Sequence, residues 1–420
     1  LSHHIGIFGR TGSGKSNLMM VLLEAVMRHN RHWWQDGREG QPTSILAIDP
    51  HDEFRRWHAS SGGRDGLHGI VQNLSDREQQ GIVEPFYYLS ARNLEEGGLE
   101  RRVRLSRADV MPSDLTSIIE FTEQQVAFAN QQFSRWGEEW IGRVMMGDTE
   151  EDDKLGGTGV DFLPGTVSAV QRRLDFLRRA QTRIFTPFDP EMGFEYDSLL
   201  PDILCALEQG RVMIVETTLM SELEQFLLNT IIARSLFSLR RALRIAASPD
   251  DLESAIRQAF GQDDASGQRG LRSLADELVE RVEEGDLPYV RDGNLRSIEN
   301  LPEVNIVVEE APSILNPDRM RDGSVFRDIS RQGRKFGLGL TVVSQQVSEI
   351  DSDVLTQLNT EVFMNLGNEM ERRAAVRNAS ADMGGFENEL QVMSRGQAIL
   401  CASYRNIPVP VQVPMFNMIE

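Results

Sequence analysis

The stretch His4-Ile-Gly-Ile-Phe-Gly9-Arg10-Thr11-Gly12-Ser13-Gly14-Lys15-Ser16-Asn17 decides how the rest of the chain is read. Its opening, Ile5–Phe8, is a short apolar run of the kind that forms a strand buried on both faces. The run stops at Gly9, and from Asn17 to Arg28 apolar residues recur at helical spacing. Strand, glycine-rich loop and helix in that order satisfy G-x-x-x-x-G-K-[ST] in full. Gly9, Gly12 and Gly14 let the backbone turn its N–H groups inward and approach phosphate oxygens, and the following helix adds its positive N-terminal end. Lys15 is then placed to bridge β- and γ-phosphates, and the Ser16 hydroxyl to ligate Mg²⁺. Arg10, Thr11, Ser13 and Asn17 complete the expected nucleotide-binding loop, so ATP and Mg²⁺ are the implied cofactors.

Outward from this loop, short apolar runs recur at 45–48, 212–215, 306–308, 340–343, 362–366 and 398–401. Helical periodicity lies between them, as at 221–244, so the core is expected to be α/β with a mostly parallel sheet. Asn305-Ile-Val-Val-Glu309-Glu310 is a hydrophobic strand ending in two acids. Beside a phosphate loop, Glu309 reads as the metal-side carboxylate, acting through water, and Glu310 as the group that polarises attacking water. The run at 340–343 leads into Ser344-Gln345-Gln346, where Gln345 is placed to sense a γ-phosphate or orient water. Asp49-Pro-His-Asp-Glu53 closes another strand, and carboxyl ends of parallel strands are where ligands gather. Glu53 is therefore added to the nucleotide-binding set.

The chain has 420 residues, enough for two or three units with a large core and no covalent staples. Ordinary globular composition, 40% apolar and 26% charged, excludes wholesale disorder and fibrous repeats. Two cysteines, Cys205 and Cys401, exclude a disulfide framework or a four-cysteine zinc site and fit a reducing cytoplasm. No apolar run reaches the roughly 18 residues that span a bilayer, so no membrane partner is expected. Between 91 and 200 the strand signal fades. There Ser113 or Asp114 offers an N-cap before Leu115, and Val167, Val170, Leu174 and Leu177 share a helix face. The expected organisation is a core of 1–90 and 201–420 and a helical subdomain at 91–200. A second, acidic helical insert is expected at 249–303, broken at 261–270. The closing Pro408, Pro410 and Pro414 confine the last segment to an edge or a partner surface.

The balance of 44 basic against 64 acidic residues, net −20, argues at first against a nucleic-acid partner. Yet basic residues cluster at 101–107, 172–183, 234–244 and 321–335. The last cluster carries Arg331 and Arg334 downstream of the acid pair, where an arginine finger for a neighbouring subunit's γ-phosphate is expected. The seven histidines all lie between His3 and His68 at spacings that match no compact ligand set, so no histidine metal site is expected.

Taken together, the phosphate loop, Ile48-Asp-Pro-His-Asp-Glu-Phe54, Val307-Val-Glu-Glu-Ala311 and Gly333-Arg-Lys-Phe-Gly-Leu-Gly-Leu-Thr-Val-Val-Ser-Gln345 resemble the HerA-type hexameric DNA translocases of the HerA/FtsK group. The closing proline segment resembles them too, and the likeness runs through nearly the whole chain in order. It implies a RecA-like core with a helical subdomain and an N-terminal β-barrel, which this chain, opening at Leu1 on a core strand, is expected to lack. It further implies a homo-oligomeric ring, six subunits by family precedent, with ATP between subunits and double-stranded DNA in the channel. A nuclease or effector partner is expected to dock through an N-terminal segment. By motif position Lys15 and Ser16 take the phosphate and Mg²⁺ roles, Glu310 the base, Glu309 the metal side, Gln345 the sensor, and Arg331 or Arg334 the trans-acting finger. Three residues depart from the family pattern: Pro312 for a frequent histidine, Gln346 for a frequent arginine, and Asp52 for the usual glycine between His51 and Glu53.

The first reading is therefore an ATP-driven, ring-forming motor on double-stranded DNA, serving end processing or antiphage defence in the cytoplasm. The alternative is a scaffold in which ATP assembles the ring and activates an effector with little translocation; a third, a conjugative coupling or secretion ATPase, implies a membrane anchor. Charge is unevenly placed: 148–154 contributes −4 and 249–303 contributes −8, which leaves −8 for the other 358 residues. Arginine-rich helical clusters are expected to line a channel, with the acidic inserts outside it.

Overall fold

The computed structural model describes residues 3–36, 41–55, 69–71, 74, 86–92, 99–148, 162–180, 184–185, 196–262, 268–320 and 323–416. Contacts divide the chain into two compact units. The first comprises Leu1–Arg102, Ala206–Thr218 and Ile298–Glu420, and the second Val103–Cys205 and Leu219–Ser297.

The first unit is built on one ten-stranded sheet. In chain order its strands are β1 (Ile5–Phe8), β2 (Thr43–Asp49), β3 (Phe86–Ser90), β4 (Glu100–Arg102), β5 (Val212–Glu216), β8 (Glu303–Val308), β9 (Leu338–Ser344), β10 (Thr360–Phe363), β11 (Gln397–Ala402) and β12 (Arg405–Gln412). The spatial order is β12-β11-β10-β1-β9-β8-β2-β5-β3-β4. From β10 to β4 every pairing is parallel, and β11 and β12 close one edge antiparallel. All seven residues of β9 are buried, as continuous apolar runs in a covered parallel sheet should be. Helix α1 (Lys15–Asp36) lays Met19, Met20, Leu23 and Met27 into a core with Ile7, Ile45, Ala47 and Ile214. These positions recur at helical spacing and form a single apolar face. Phe8 of β1 stacks on Phe363 of β10 with ring centroids 5.6 Å apart.

The expected α/β class and mostly parallel sheet are present. The run at 362–366 extends as strand only to Phe363; Met364 and Asn365 leave it to meet the phosphate loop. β3 and β4 were not expected. β4, Glu-Arg-Arg, carries no apolar residue; it pairs with β3 through the backbone, Arg101 lies over the Tyr87 ring at 4.5 Å, and Glu100 accepts from Arg55 at 2.7 Å.

The second unit is helical, with a short hairpin of β6 (Val290–Arg291) and β7 (Asn294–Leu295). Its helices include Pro112–Thr116, Glu123–Trp136, Trp140–Met146, Pro164–Ala180, Glu222–Ile245, Pro249–Ala259 and Arg272–Glu284. Trp140 is fully buried and donates its indole N–H to the Val110 carbonyl at 2.9 Å.

Two expectations change here. Ser113 and Asp114 are not the cap: Pro112 already occupies the first helical turn, and Asp114 accepts the Met111 N–H from within it. Helix Glu222–Ile245, assigned above to the core segment 201–420, groups with 103–205. A buried ion pair ties it there: Arg234 donates to Asp114 at 2.8 Å and to the Asp109 carbonyl at 2.7 Å. The insert expected at 249–303 divides, 249–297 with its two helices joining the same unit and 298–303 the first, and most of 148–154 lies outside the described residues. No described helix is long and apolar enough to cross a membrane.

Candidate nucleotide site

The carboxyl ends of the parallel strands in the first unit surround a cavity of about 430 Å³. Six of the expected loop residues line it: Thr11, Gly12, Gly14, Lys15, Ser16 and Asn17. Gly12 (φ 77°) and Gly14 (φ 114°) hold left-handed backbone, which is why the pattern needs glycine there. A Cβ on Gly9 would lie 2.9 Å from Met364 Cβ, so that position is closed to a side chain for packing instead. The loop is pinned from two strands: Gly9 N–H donates to the Ser344 carbonyl at 3.1 Å and Arg10 N–H to the Asn365 carbonyl at 2.8 Å. The Ser13 hydroxyl turns to Met364 Sδ. Lys15 Nζ donates to the carbonyls of Gly9 (2.8 Å) and Arg10 (3.4 Å). Burial lowers the Lys15 pKa, and the charges of Glu310, Glu309 and Glu53 oppose that shift.

The sheet order sets the acids beside this loop. β9 lies between β1 and β8, so Gln345 at the end of β9 stands between Thr11 and the acid pair. Thr11 Oγ1 donates to Gln345 Oε1 at 2.5 Å, and Gln345 Nε2 donates to Glu310 Oε1 at 3.1 Å. A continuous hydrogen-bonded chain thus runs from the loop tip to Glu310. Glu310 itself has φ 47°, a left-handed conformation that a non-glycine residue adopts at a cost of about 1 kcal/mol. Glu309, Glu310 and Glu53 all line the cavity. The pKa of Glu309 is raised well above its ordinary value, first by burial, then by the charges of Asp49, Glu53 and Glu310; Lys15 opposes.

Asp49 at the end of β2 shapes the turn that presents Glu53. Its carboxylate accepts the backbone N–H groups of His51 (3.2 Å), Glu53 (3.0 Å) and Phe54 (3.1 Å). Burial outweighs those three bonds and pushes its pKa up to about 6. The departure at Asp52 is accommodated within the same turn. Its φ of 57° is the conformation a glycine would take freely, and aspartate is among the few residues that tolerate it. Tyr88 OH donates to Asp52 at 2.7 Å, and Arg92 pairs with it at 3.0 Å.

Sequence reading missed several residues. Arg92 also approaches fully buried Glu216 at 3.5 Å, and Glu216 accepts from Ser90 Oγ (2.5 Å) and Thr218 N–H (2.8 Å). Met20, His51, Val343, Arg395 and Met415 line the cavity as well. Of these, His51 lies in the strand-end motif 49–53, Val343 in the apolar run 340–343 and Met20 in the helical period of α1, while Arg395 and Met415 carried no local signal. Arg331 and Arg334 are not among the cavity's lining residues. Arg331 pairs with Asp353 at 2.5 Å, and Arg334 donates to the Gln357 carbonyl at 3.2 Å. The arginine clusters are also thinner than expected: Arg107, Arg234 and Arg240 are buried, and Arg234 neutralises Asp114.

A parallel sheet carrying a phosphate loop on one strand, with acids and a glutamine on the next two, defines a RecA-like P-loop nucleotide-binding domain. A family model described as "Helicase HerA, central domain" matches residues 1–236, and the chain belongs to that family. The DNA double-strand break repair helicase HerA of Pyrococcus furiosus is 19% identical over 429 residues, covering 99% of this chain and 66% of the relative. A probable helicase of the same name from Methanocaldococcus jannaschii is 30% identical over 154 residues, 35% of this chain and 30% of the relative. The chain thus spans about two thirds of the first of these proteins, and the match to the second covers under a third of its length. In fold it is similar to the plasmid coupling protein TrwB in complex with ADP and Mg²⁺, at TM-score 0.52 and 11% identity, over 98% of this chain and 85% of that one.

Proposed function

We propose that this chain is the motor core of an ATP-hydrolysing ring that moves double-stranded DNA and serves a nuclease or effector partner in the cytoplasm. The observation that carries the hydrolytic part is the Thr11–Gln345–Glu310 chain. It ties the loop that would hold the phosphates to the acid that would activate water. Lys15 and Ser16 share one cavity with Glu309, Glu310 and Glu53, which suits a nucleotide triphosphate on the loop side and a divalent cation on the acid side. The donor set fits Mg²⁺: three carboxylates crowd one another, Glu309 resists ionisation, and a divalent charge would relieve that repulsion. Ser16 and, through water, Glu309 would hold the ion, and when bound it supplies charge neutralisation at the phosphate oxygens.

In this reading Lys15 leaves its carbonyl partners for the β- and γ-phosphates. Gln345, fixed at both ends, reports the state of the γ-phosphate to Thr11 and orients water toward Glu310. Glu310 accepts that water's proton, and Arg331 or Arg334 reaches the site of a neighbouring subunit. Family membership and the helicase names of the relatives support the DNA motor.

Two measurements test it. Glu310→Gln should retain ATP binding and lose turnover by a factor on the order of 10² or more; unchanged hydrolysis removes the base assignment. ATPase of the intact protein should rise when linear duplex DNA is added at low salt, and the ring should displace a protein roadblock. A flat rate and an undisturbed roadblock favour an assembly scaffold instead.

A further inference from the structure

Sheet order gives the cavity two chemically different ends. On the β9–β8–β2 side of β1 stand Gln345 and the carboxylates; on the β10–β11–β12 side stand Arg395 and Met415. A nucleotide with its terminal phosphate at Gln345 and Glu310 therefore directs its base toward the second end.

That end is built by the segment after β12. Val413 and Phe416 are buried in the core against α1, while Pro414 and Met415 between them face outward, Met415 at 36% exposure. Asn17, the residue after Ser16, latches the segment in place. Its Nδ2 donates to the Pro414 carbonyl at 2.8 Å, and its Oδ1 accepts the Phe416 N–H at 2.9 Å. A third tie, Val413 N–H to the Gly396 carbonyl (2.8 Å), joins the segment to the loop carrying Arg395. Gly396 N–H in turn donates to the Ser13 carbonyl of the phosphate loop at 3.0 Å. Asn17, expected in the nucleotide-binding set, lines the cavity and also ties the strap through its amide, across almost 400 residues of sequence.

We propose that residues 413–416, held by Asn17, form the wall of a base subsite that takes purine nucleotides by shape and dispersion and does not distinguish adenine from guanine. The proposal rests on the nucleotide-binding reading above. Met20 and Met415 offer polarisable thioether surfaces, which adapt to either ring system. Among the described lining residues of this end, the polar side chains are Asn17, whose amide orientation is set by the strap, and Arg395. Stacked on a ring face, or bonded to a ribose or phosphate oxygen, the Arg395 guanidinium serves either base, whereas a paired contact to guanine O6 and N7 would favour GDP and is read directly by the ADP and GDP comparison. Strong base discrimination requires buried groups that hydrogen-bond the base edge and go unpaired with the wrong one, whereas an apolar slot discriminates weakly.

The test uses isothermal titration calorimetry of the whole chain with Mg²⁺ and three probes: ADP, GDP and inorganic tripolyphosphate. ADP and GDP should bind within about threefold of each other. Met415→Ala, at a partly exposed position, and Asn17→Ala should each weaken both nucleotides by roughly fivefold to tenfold while leaving tripolyphosphate within about twofold. Lys15→Ala should weaken all three. A preference for either nucleotide beyond about threefold, or unaltered ADP affinity in Met415→Ala, overturns the proposal. So does a parallel loss of tripolyphosphate in both strap variants. If the unaltered chain binds tripolyphosphate but neither nucleotide, the base subsite falls while the phosphate site stands; if it binds none of the three, the nucleotide reading falls as well.

Discussion

Asp52 shows how one residue can be read from sequence as an oddity and from structure as a solved problem. A left-handed φ costs a side chain about 1 kcal/mol, and the carboxylate offsets it by accepting from Tyr88 OH and pairing with Arg92. Asp52→Ala keeps the strain and strands the tyrosine hydroxyl, so it should destabilise the chain by about 2 kcal/mol. Asp52→Asn, which tolerates the same φ and still accepts from Tyr88, should lose markedly less; equal urea midpoints for the two variants refute this account. Thr11 acts differently, because its hydroxyl decides which end of the Gln345 amide faces Glu310. Thr11→Val should lower kcat by about tenfold with KM nearly unchanged, and Thr11→Ser should restore it. A rise in KM alone would mean that Thr11 serves binding and not orientation. Lys15, Ser16 and the acid pair were legible at this scale because their motif is contiguous or lies at a strand end. Glu216 and Arg92 were not, since a buried acid at the end of β5 has the same local pattern as a solvated one.

Among the elements, strand identity followed from apolar runs wherever both faces are covered, as in β1, β2, β5, β8 and β9. It failed for β4, whose pairing is a property of its neighbour β3. β12 was expected as an edge segment and is the outer strand, pairing with β11 at Leu400 and Val409. Its neighbour-but-one, β10, carries a pH-sensitive contact. Glu361 is buried, accepts the N–H and hydroxyl of Ser380, and has its pKa raised from 4.5 to about 7 by burial despite those bonds. The folded chain therefore holds this proton to higher pH than the unfolded chain does. Its stabilising share is complete below pH 4.5 and is lost as pH rises through 7, on the order of 2 kcal/mol. Glu361→Gln, neutral throughout, should flatten the fall in stability between pH 4.5 and 7 in chemical denaturation. An identical slope in both proteins excludes Glu361 as its source.

At the scale of the whole molecule, the net charge of −20 is carried in part by the 249–303 insert, whose helices belong to the helical unit. Several arginines expected to face DNA are instead buried, while Arg172 of the same clusters is exposed. Arg331 and Arg334 lie away from their own chain's cavity, and the ring reading requires them to act on a neighbour. Mixing Arg331→Ala/Arg334→Ala protomers with Lys15→Ala protomers should then recover ATPase, since one partner supplies an intact pocket and the other the arginines. No recovery, or a monomeric mass with ATP by native mass spectrometry, contradicts that arrangement.

By itself the sequence determined the phosphate loop, the buried parallel strands and the acids that close them, because each depends on local backbone geometry or on burial over a few adjacent residues. Tertiary structure alone decided which helices share a core, how Asp52 is held, and that Asn17 grips the far end of the chain and presents Met415 to the cavity. Those outcomes rest on hydrogen bonds and packing between residues distant in sequence, and no local period or spacing records which partner a buried polar group will find.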